Sequence, residues 1–203
     1  MEWGVRVTGL ILRLLGLLLA PLWWSLRGRR PLVLPLDPWL MKTATEQARA
    51  VRSGQITSET LVRKYIHRIQ QVNRYLNAVS DERFRAAVED AKVVDRDIDA
   101  ARREGKLEEL FEGRPLLGMP FTVKESCSVA GLSNSVGCVE SAGSRASADG
   151  GAVRLMRRAG AIPLLVSSTP ELCLGWETSS VLRGATRNPH DLNCTPGGSS
   201  GGE

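Results

Sequence analysis

The sequence predicts an α/β protein, a mixed or parallel sheet covered by helices, with a membrane helix in front of it. Three observations predict this. The first 30 residues hold one long apolar run, residues 40–104 show helical periodicity, and beyond residue 115 strand-length apolar runs alternate with helical segments. They divide the chain into an anchor at 1–30, a linker at 31–39 and a body at 40–203.

The anchor rests on Thr8 to Leu26, 19 residues with Arg13 as the single charge. A helix needs roughly 20 such residues to cross about 30 Å of hydrocarbon. Trp23 and Trp24 stand where an interfacial aromatic belt would be, and Arg27, Arg29 and Arg30 follow at once. A cleaved signal peptide has a shorter apolar core that ends in small residues. Two tryptophans and an arginine cluster fit a retained anchor better. Arg13 and Pro21 weaken a straight span, which leaves a helix lying in the interface as the alternative. The basic flank favours a cytoplasmic body. Pro31, Pro35 and Pro38 then make a stiff extended linker.

Charge argues against one class of function. Of the formal net charge of +5, residues 1–30 contribute +4 through five arginines against Glu2, which leaves +1 on the remaining 173 residues. A nucleic-acid binder would spread basic surface over its body, so no nucleic-acid partner is expected. Cys127, Cys138, Cys173 and Cys194 lack metal-ligand spacing and read as reduced, mostly buried thiols.

The body opens with three helical patterns. Residues 40–53 form a short one. Thr57-Ser58-Glu59-Thr60 offers a capped start to the second, with Val62, Ile66, Ile69, Val72 and Leu76 along one face. The third runs from about Asp81 to Glu104 and stops at Gly105. Phe84, Ala87, Ala91, Val94, Ile98 and Ala101 form its apolar stripe, and Glu89, Lys92, Asp95, Arg96 and Arg103 read as a solvated face. Residues 115–123 then predict a buried strand, 147–159 a helix, 162–166 a short apolar strand and 170–174 a brief helix. There is no internal repeat.

Two segments carry chemistry. One is the apolar run Leu117-Gly-Met-Pro-Phe-Thr-Val-Lys124-Glu125, and the other is Pro196-Gly-Gly-Ser199-Ser200-Gly-Gly202-Glu203. Taken singly, each has a bland reading: a strand end meeting solvent, and a flexible Gly/Ser linker. The second fails as a phosphate loop because Glu203 stands where the lysine is required. A serine hydroxyl attacks a poor electrophile only when a base removes its proton. The two histidines, His67 in a helix and His190 in a turn, lack a Gly-x-Ser-x-Gly elbow as partner. Lysine acts as a base only when neutral, and an apolar setting favours the neutral form. A Ser–Lys pair is a recognised variant of triad logic.

The two segments occur in one order with Gly160-Ala-Ile-Pro163 and Asn188-Pro189 between them. In that joint pattern residues 40–203 resemble the amidase signature family, serine hydrolases that cleave amides with a Ser–Ser–Lys triad. The resemblance implies the amidase signature fold, with Lys124 as the base and Ser199 as the bridging serine at the substrate. It implies a cis peptide between Gly198 and Ser199, with Gly197, Gly198, Ser200, Gly201 and Gly202 as structural support. Ser200 would hydrogen-bond within its loop. Cys173 falls where the family lines an acyl pocket, or is a plain buried thiol. No cofactor or metal is implied.

In the family the nucleophilic serine lies further C-terminal, so the chain is expected to be an incomplete amidase domain, inactive on its own. Strands near 115–123 and 162–166 are expected to pair with strands beyond Glu203. Within the family, Thr169-Pro-Glu-Leu-Cys173 and Trp176-Glu-Thr-Ser179 resemble the branch that cleaves fatty-acid amides at membranes. That branch implies a lipid amide substrate, an endomembrane or lipid-droplet location and, for the complete protein, room for a homodimer. The alternatives are the soluble branch that hydrolyses glutamine for amidotransfer, and a non-catalytic membrane-tethered product.

Overall fold

In the computed structural model, which describes residues 2–32, 34 and 36–203, the N-terminal run forms helix α1, Glu2–Arg27, unbroken across Pro21. At about 1.5 Å per residue its 26 residues reach ~39 Å, longer than a hydrocarbon core. The 21 residues Trp3–Trp23 have a mean hydropathy of 1.8 and bury nothing against the body. The side chains of Trp24 and Arg27, part of the expected interfacial belt and basic flank, lie outside the described residues.

The linker does not simply lead to the body. Leu32 N–H donates to Pro189 O at 2.8 Å, Leu192 N–H donates to Arg30 O at 2.9 Å, and Arg30 N–H donates to Asp191 Oδ1 at 3.2 Å. Residues 30–32 are thereby clamped to the turn at 188–194. Val33 and Pro35, two residues of the predicted stiff stretch, lie outside the described residues. At Pro38–Met41 a 3-10 turn forms, capped by Asp37, which accepts from Trp39 N–H at 2.9 Å and from Lys64 Nζ at 2.5 Å.

Helix α2, Ala44–Ser53, begins with a capping box in which Thr43 and Glu46 bond each other's backbone. Helix α3, Ser58–Leu76, starts at the predicted Thr57 cap. The next segment departs from expectation. Val79–Glu82 is strand β1, and helix α4 begins only at Phe84 and ends at Arg103. Asp95 of α4 is not a solvated charge. Its Oδ1 and Oδ2 accept from the N–H groups of Ser58 and Glu59 at 2.7 and 2.9 Å. Free donors at a helix N-terminus attract a carboxylate, so α4 caps α3 from the side. Helix α5, Leu107–Gly113, follows and was not predicted.

Strand β2 is Pro120–Lys124, helix α6 is Gly151–Arg158 and strand β3 is Ile162–Ser167. Residues 115–118 form a turn instead of the predicted first half of β2. There Ser58 Oγ donates to Gly118 O at 2.9 Å, docking the turn on the start of α3. Residues 147–150 precede α6. All six residues of β3 are buried. The sheet is mixed, in the order β1-β3-β2, with β3 antiparallel to β1 and parallel to β2. For β3 this corrects the expectation of pairing with strands beyond Glu203, because it has a neighbour on both sides; β2 pairs with β3 along one edge and is the edge strand among the described residues. A small hairpin, β4 (Ser179–Ser180) with β5 (Gly184–Ala185), completes the elements.

The main apolar core packs α2, α3, α4 and α5 on the sheet through Leu61, Val62, Ala91, Phe111 and Leu164. Burying each of these side chains except Ala91 contributes about 1.5–3 kcal/mol. A second cluster, Val123, Val129, Leu132, Val153 and Val166, packs α6 and the loop after β2. The four cysteines are free thiols; Cys127 is exposed and the other three half-buried, so none is the buried thiol expected.

The Asp95 cap gives a direct stability test. Asp95→Ala should lower the unfolding free energy by about 1–2 kcal/mol, as for other lost helix caps, and Asp95→Asn by less. The measurement is a urea midpoint shift at unchanged slope.

Candidate active site

Lys124 is the last residue of β2, and its partner strand β3 ends in register with it at Ser167. From there the Lys124 Nζ donates to Ser199 Oγ at 2.7 Å and to Ser200 Oγ at 2.9 Å. Residues 75 apart in sequence thus meet at the C-terminal end of two parallel strands. The peptide between Gly198 and Ser199 is cis, as the resemblance implies. Ser200 does more than expected. Its carbonyl accepts from Glu203 N–H at 3.1 Å within the loop, while its hydroxyl faces the lysine.

The loop 195–203 is held from three sides. Thr178, fully buried, donates through Oγ1 to Gly197 O at 3.0 Å and accepts there from Gly201 N–H at 2.8 Å. Its own N–H also donates to Gly197 O, at 3.0 Å. Glu203 Oε1 accepts from Ser167 Oγ and Oε2 from Thr122 Oγ1, both at 2.6 Å, which pins the loop across β2 and β3. Gly202 passes so close to the end of β3 that a Cβ would lie 2.5 Å from Ser168 N and 2.7 Å from Ala78 O. Only glycine fits that approach.

Behind the lysine, Glu125 is fully buried. Its Oε1 accepts from Ser133 Oγ at 2.7 Å, Ser135 Oγ at 2.8 Å and Ser135 N–H at 3.2 Å; its Oε2 accepts from Ser80 Oγ at 3.0 Å. The Arg183 guanidinium stands 4.0 Å away. A buried carboxylate is tolerable only with such a set of donors. Glu125 therefore joins β1, the end of β2 and the loop at 133–135 into a rigid backing for Lys124.

Cys173 lies in the segment that flanks the serine loop, in a 3-10 turn at Glu171–Cys173. Leu172 and Cys173 both have positive φ, 50° and 60°, a region few non-glycine residues occupy. A Cβ at Gly198 would lie 2.8 Å from Gly175 O, so residues 175–177 press against the loop two residues beyond Cys173. Both histidines are exposed: His67 Nε2 is 2.9 Å from Gln71 Nε2, and His190 N–H donates to Asn188 Oδ1 at 2.9 Å. Among the described residues the partners of Lys124 Nζ are the two serines. Elsewhere, Cys138, Glu140 and Glu171 hold a thiol and two carboxylates within 4.8 Å. The Cys138 thiol keeps the Glu140 carboxyl below its ordinary value by donating to it at 2.9 Å.

The sequence reading found Lys124 and the serine loop but missed Thr178, Glu125 and Glu203. Thr178 stood inside a quoted segment with no role. Glu203 gave a signal only as the residue that spoils a phosphate loop.

Comparison with known proteins shows the family. The Amidase family model matches residues 60–203, and the chain belongs to the amidase family. It is 42% identical to fatty-acid amide hydrolase 2-B of Danio rerio over 202 residues, covering 98% of this chain and 37% of that protein. It is 34% identical to fatty-acid amide hydrolase 2 of Homo sapiens, covering all of this chain and 39% of that one. The chain thus spans under two fifths of the length of these relatives. Among solved structures, peptide amidase from Stenotrophomonas maltophilia superimposes with a TM-score of 0.70 at 29% identity, over 81% of this chain and 33% of the other. A fatty acid amide hydrolase structure gives a TM-score of 0.73 at 23% identity, over 83% of this chain and 29% of the other, a likeness of fold.

Thr178 offers a test of the loop's anchoring. Thr178→Val keeps the shape but deprives Gly201 N–H and Gly197 O of a side-chain partner, and should cost about 1–3 kcal/mol in urea unfolding. Thr178→Ser should retain most of the stability.

Proposed function

We propose that this chain supplies the base and the relay of an amidase active site that acts on fatty-acid amides. The observation that carries the reading is the 2.7 Å contact of Lys124 Nζ with Ser199 Oγ, made at the mouth of the sheet. A second serine, from sequence C-terminal to Glu203 in the relatives, is the nucleophile. Lys124, as the base, takes the proton of Ser199 as Ser199 takes that of the nucleophile, whose oxygen bonds to the amide carbon. When the tetrahedral intermediate collapses, the C–N bond breaks and the proton returns through Ser199 to the leaving nitrogen. Water then attacks the acyl-enzyme by the same relay and releases the acid. No cofactor or metal enters these steps.

The lipid substrate is supported by the fatty-acid amide hydrolase relatives and by α1, which is long and apolar enough to cross a membrane. An enzyme held at the bilayer draws directly on substrates dissolved there. In this reading the loop of Cys173, beside the serine loop, contributes to the acyl pocket.

Two experiments test it. In an enzyme extended through the relatives' C-terminal sequence, Lys124→Ala should abolish amide hydrolysis and Ser199→Ala should cost orders of magnitude. His67→Ala and His190→Ala should remain within a few fold. A fluorophosphonate probe should label the extended enzyme but not the 203-residue chain, and clear labelling of the latter would place the nucleophile inside it. On location, the chain should stay with membranes through alkaline carbonate and become soluble when residues 1–28 are removed. Full-length chain in the soluble fraction would overturn the anchor.

A further inference from the structure

The last turns of α3 do not close on the sheet. Between them and the serine loop lies a cavity of about 230 Å³. Ile69, Val72 and Leu76 line it from α3, Val79 from β1 and Leu165 from β3. The serine loop contributes Gly201 and Gly202, whereas Lys124, Ser199 and Ser200 are not part of the lining.

Most of the polar lining is already engaged. Asn73 Oδ1 accepts from the N–H groups of Ala78 and Val79 at 2.8 and 3.1 Å, and Thr186 Oγ1 donates to Asn77 O at 2.8 Å. Glu203 gives its two carboxylate oxygens to Thr122 and Ser167. A trapped water needs several polar partners, whereas an apolar cavity of about 150 Å³ stays dry and accepts benzene. The space behind the serine loop therefore suits a short alkyl chain better than water.

Arg187 is the exception. Its N–H donates to Leu76 O at 2.8 Å, which holds its backbone at the end of α3. It is exposed, and it lines both this cavity and the neighbouring polar pocket of about 520 Å³ around Ser179, Asn193 and Thr195. Among the described residues its guanidinium has no hydrogen bond or ion pair, and Glu177, the other charged residue of the polar pocket, is not paired with it. An apolar cavity thus adjoins a free cation, the complement of a molecule with an alkyl tail and an anionic head.

We propose that this is a binding site for a medium-chain fatty acid, with the alkyl chain in the cavity and the carboxylate on Arg187. The site is separate from the acyl pocket assigned above to the loop of Cys173, and it stands on the cavity and the free arginine whether or not the chain hydrolyses amides. Each methylene buried there contributes about fourfold in affinity. Because Gly201 and Gly202 line the cavity, a bound acid also braces the loop that presents Ser199 and Ser200 to Lys124.

The test uses the full chain in lipid nanodiscs and octanoate that carries a photoactivatable diazirine near the end of its alkyl chain, with the labelled peptides read by mass spectrometry. Label should fall on residues 69–79 and on Leu165, and plain octanoate should compete it away. Arg187→Gln should weaken labelling about tenfold, the loss of a charge-assisted hydrogen bond, while Arg187→Lys retains most of it. Val72→Phe should fill the cavity and abolish labelling, with the urea midpoint as the check that it folds. Unchanged labelling in Arg187→Gln, or in a folded Val72→Phe, overturns the proposal. So does competition by octanol or octylamine as strong as by octanoate, and so does label confined to α1, which would mark partition into the lipid. Label on residues 171–177 alone would overturn this site and support the acyl pocket instead. In the enzyme extended through the relatives' C-terminal sequence the labelling should persist; its loss there would assign the cavity to the chain that follows.

Discussion

The rest of the site converges on the contact between Lys124 Nζ and the hydroxyls of Ser199 and Ser200, each side of which is held in place from elsewhere. The lysine is fixed by its backbone, at the end of a strand that is in register with β3 and backed by Glu125. The serines are fixed by a glycine-rich loop whose shape comes from elsewhere: Thr178 from one side, Glu203 across the two strands, Gly202 wedged under Ser168. Such a loop has little intrinsic preference of its own. What gives it one conformation is a set of hydrogen bonds, of which those to buried Thr178 and Ser167 are the costly ones to leave unmade.

The same logic explains the helical layer. Helices α3 and α4 meet along apolar faces, but Asp95 also settles how α3 begins, and Ser58 ties that beginning to the turn before β2. The strand that delivers Lys124 is therefore braced by the helices as well as by its neighbour in the sheet. Apolar burial supplies the stability, and a few charged or hydroxyl groups specify the geometry.

What was legible in the sequence follows from how local each signal is. The α1 run, the Thr57 cap, the stripe of α4 and the buried run of β3 are short-range patterns, and they appear where periodicity places them. The second half of β1, Asp81 and Glu82, reads as the start of a helix because its residues look nothing like a buried strand; pairing with β3 makes it one. The helix at α6 starts late because Asp149 turns to the N–H of Ala130 and Gly150 and Gly151 follow. In the site, Lys124 and Ser199 were legible because their neighbours form a pattern along the chain. Thr178, Glu125 and Asp95 act on partners far away in sequence, and no local rule points to them.

The clamp at residues 30–32 has a mechanical consequence. Between the end of α1 and the first bond to the body there remain Gly28, at a positive φ of 63°, and Arg29. A slack tether would let the body swivel about the helix. Here torque or tension on the helix is delivered within a few residues to the turn at 188–194, from which the chain runs directly into the serine loop. A pull on the helix therefore has a short covalent and hydrogen-bonded path to the serine loop.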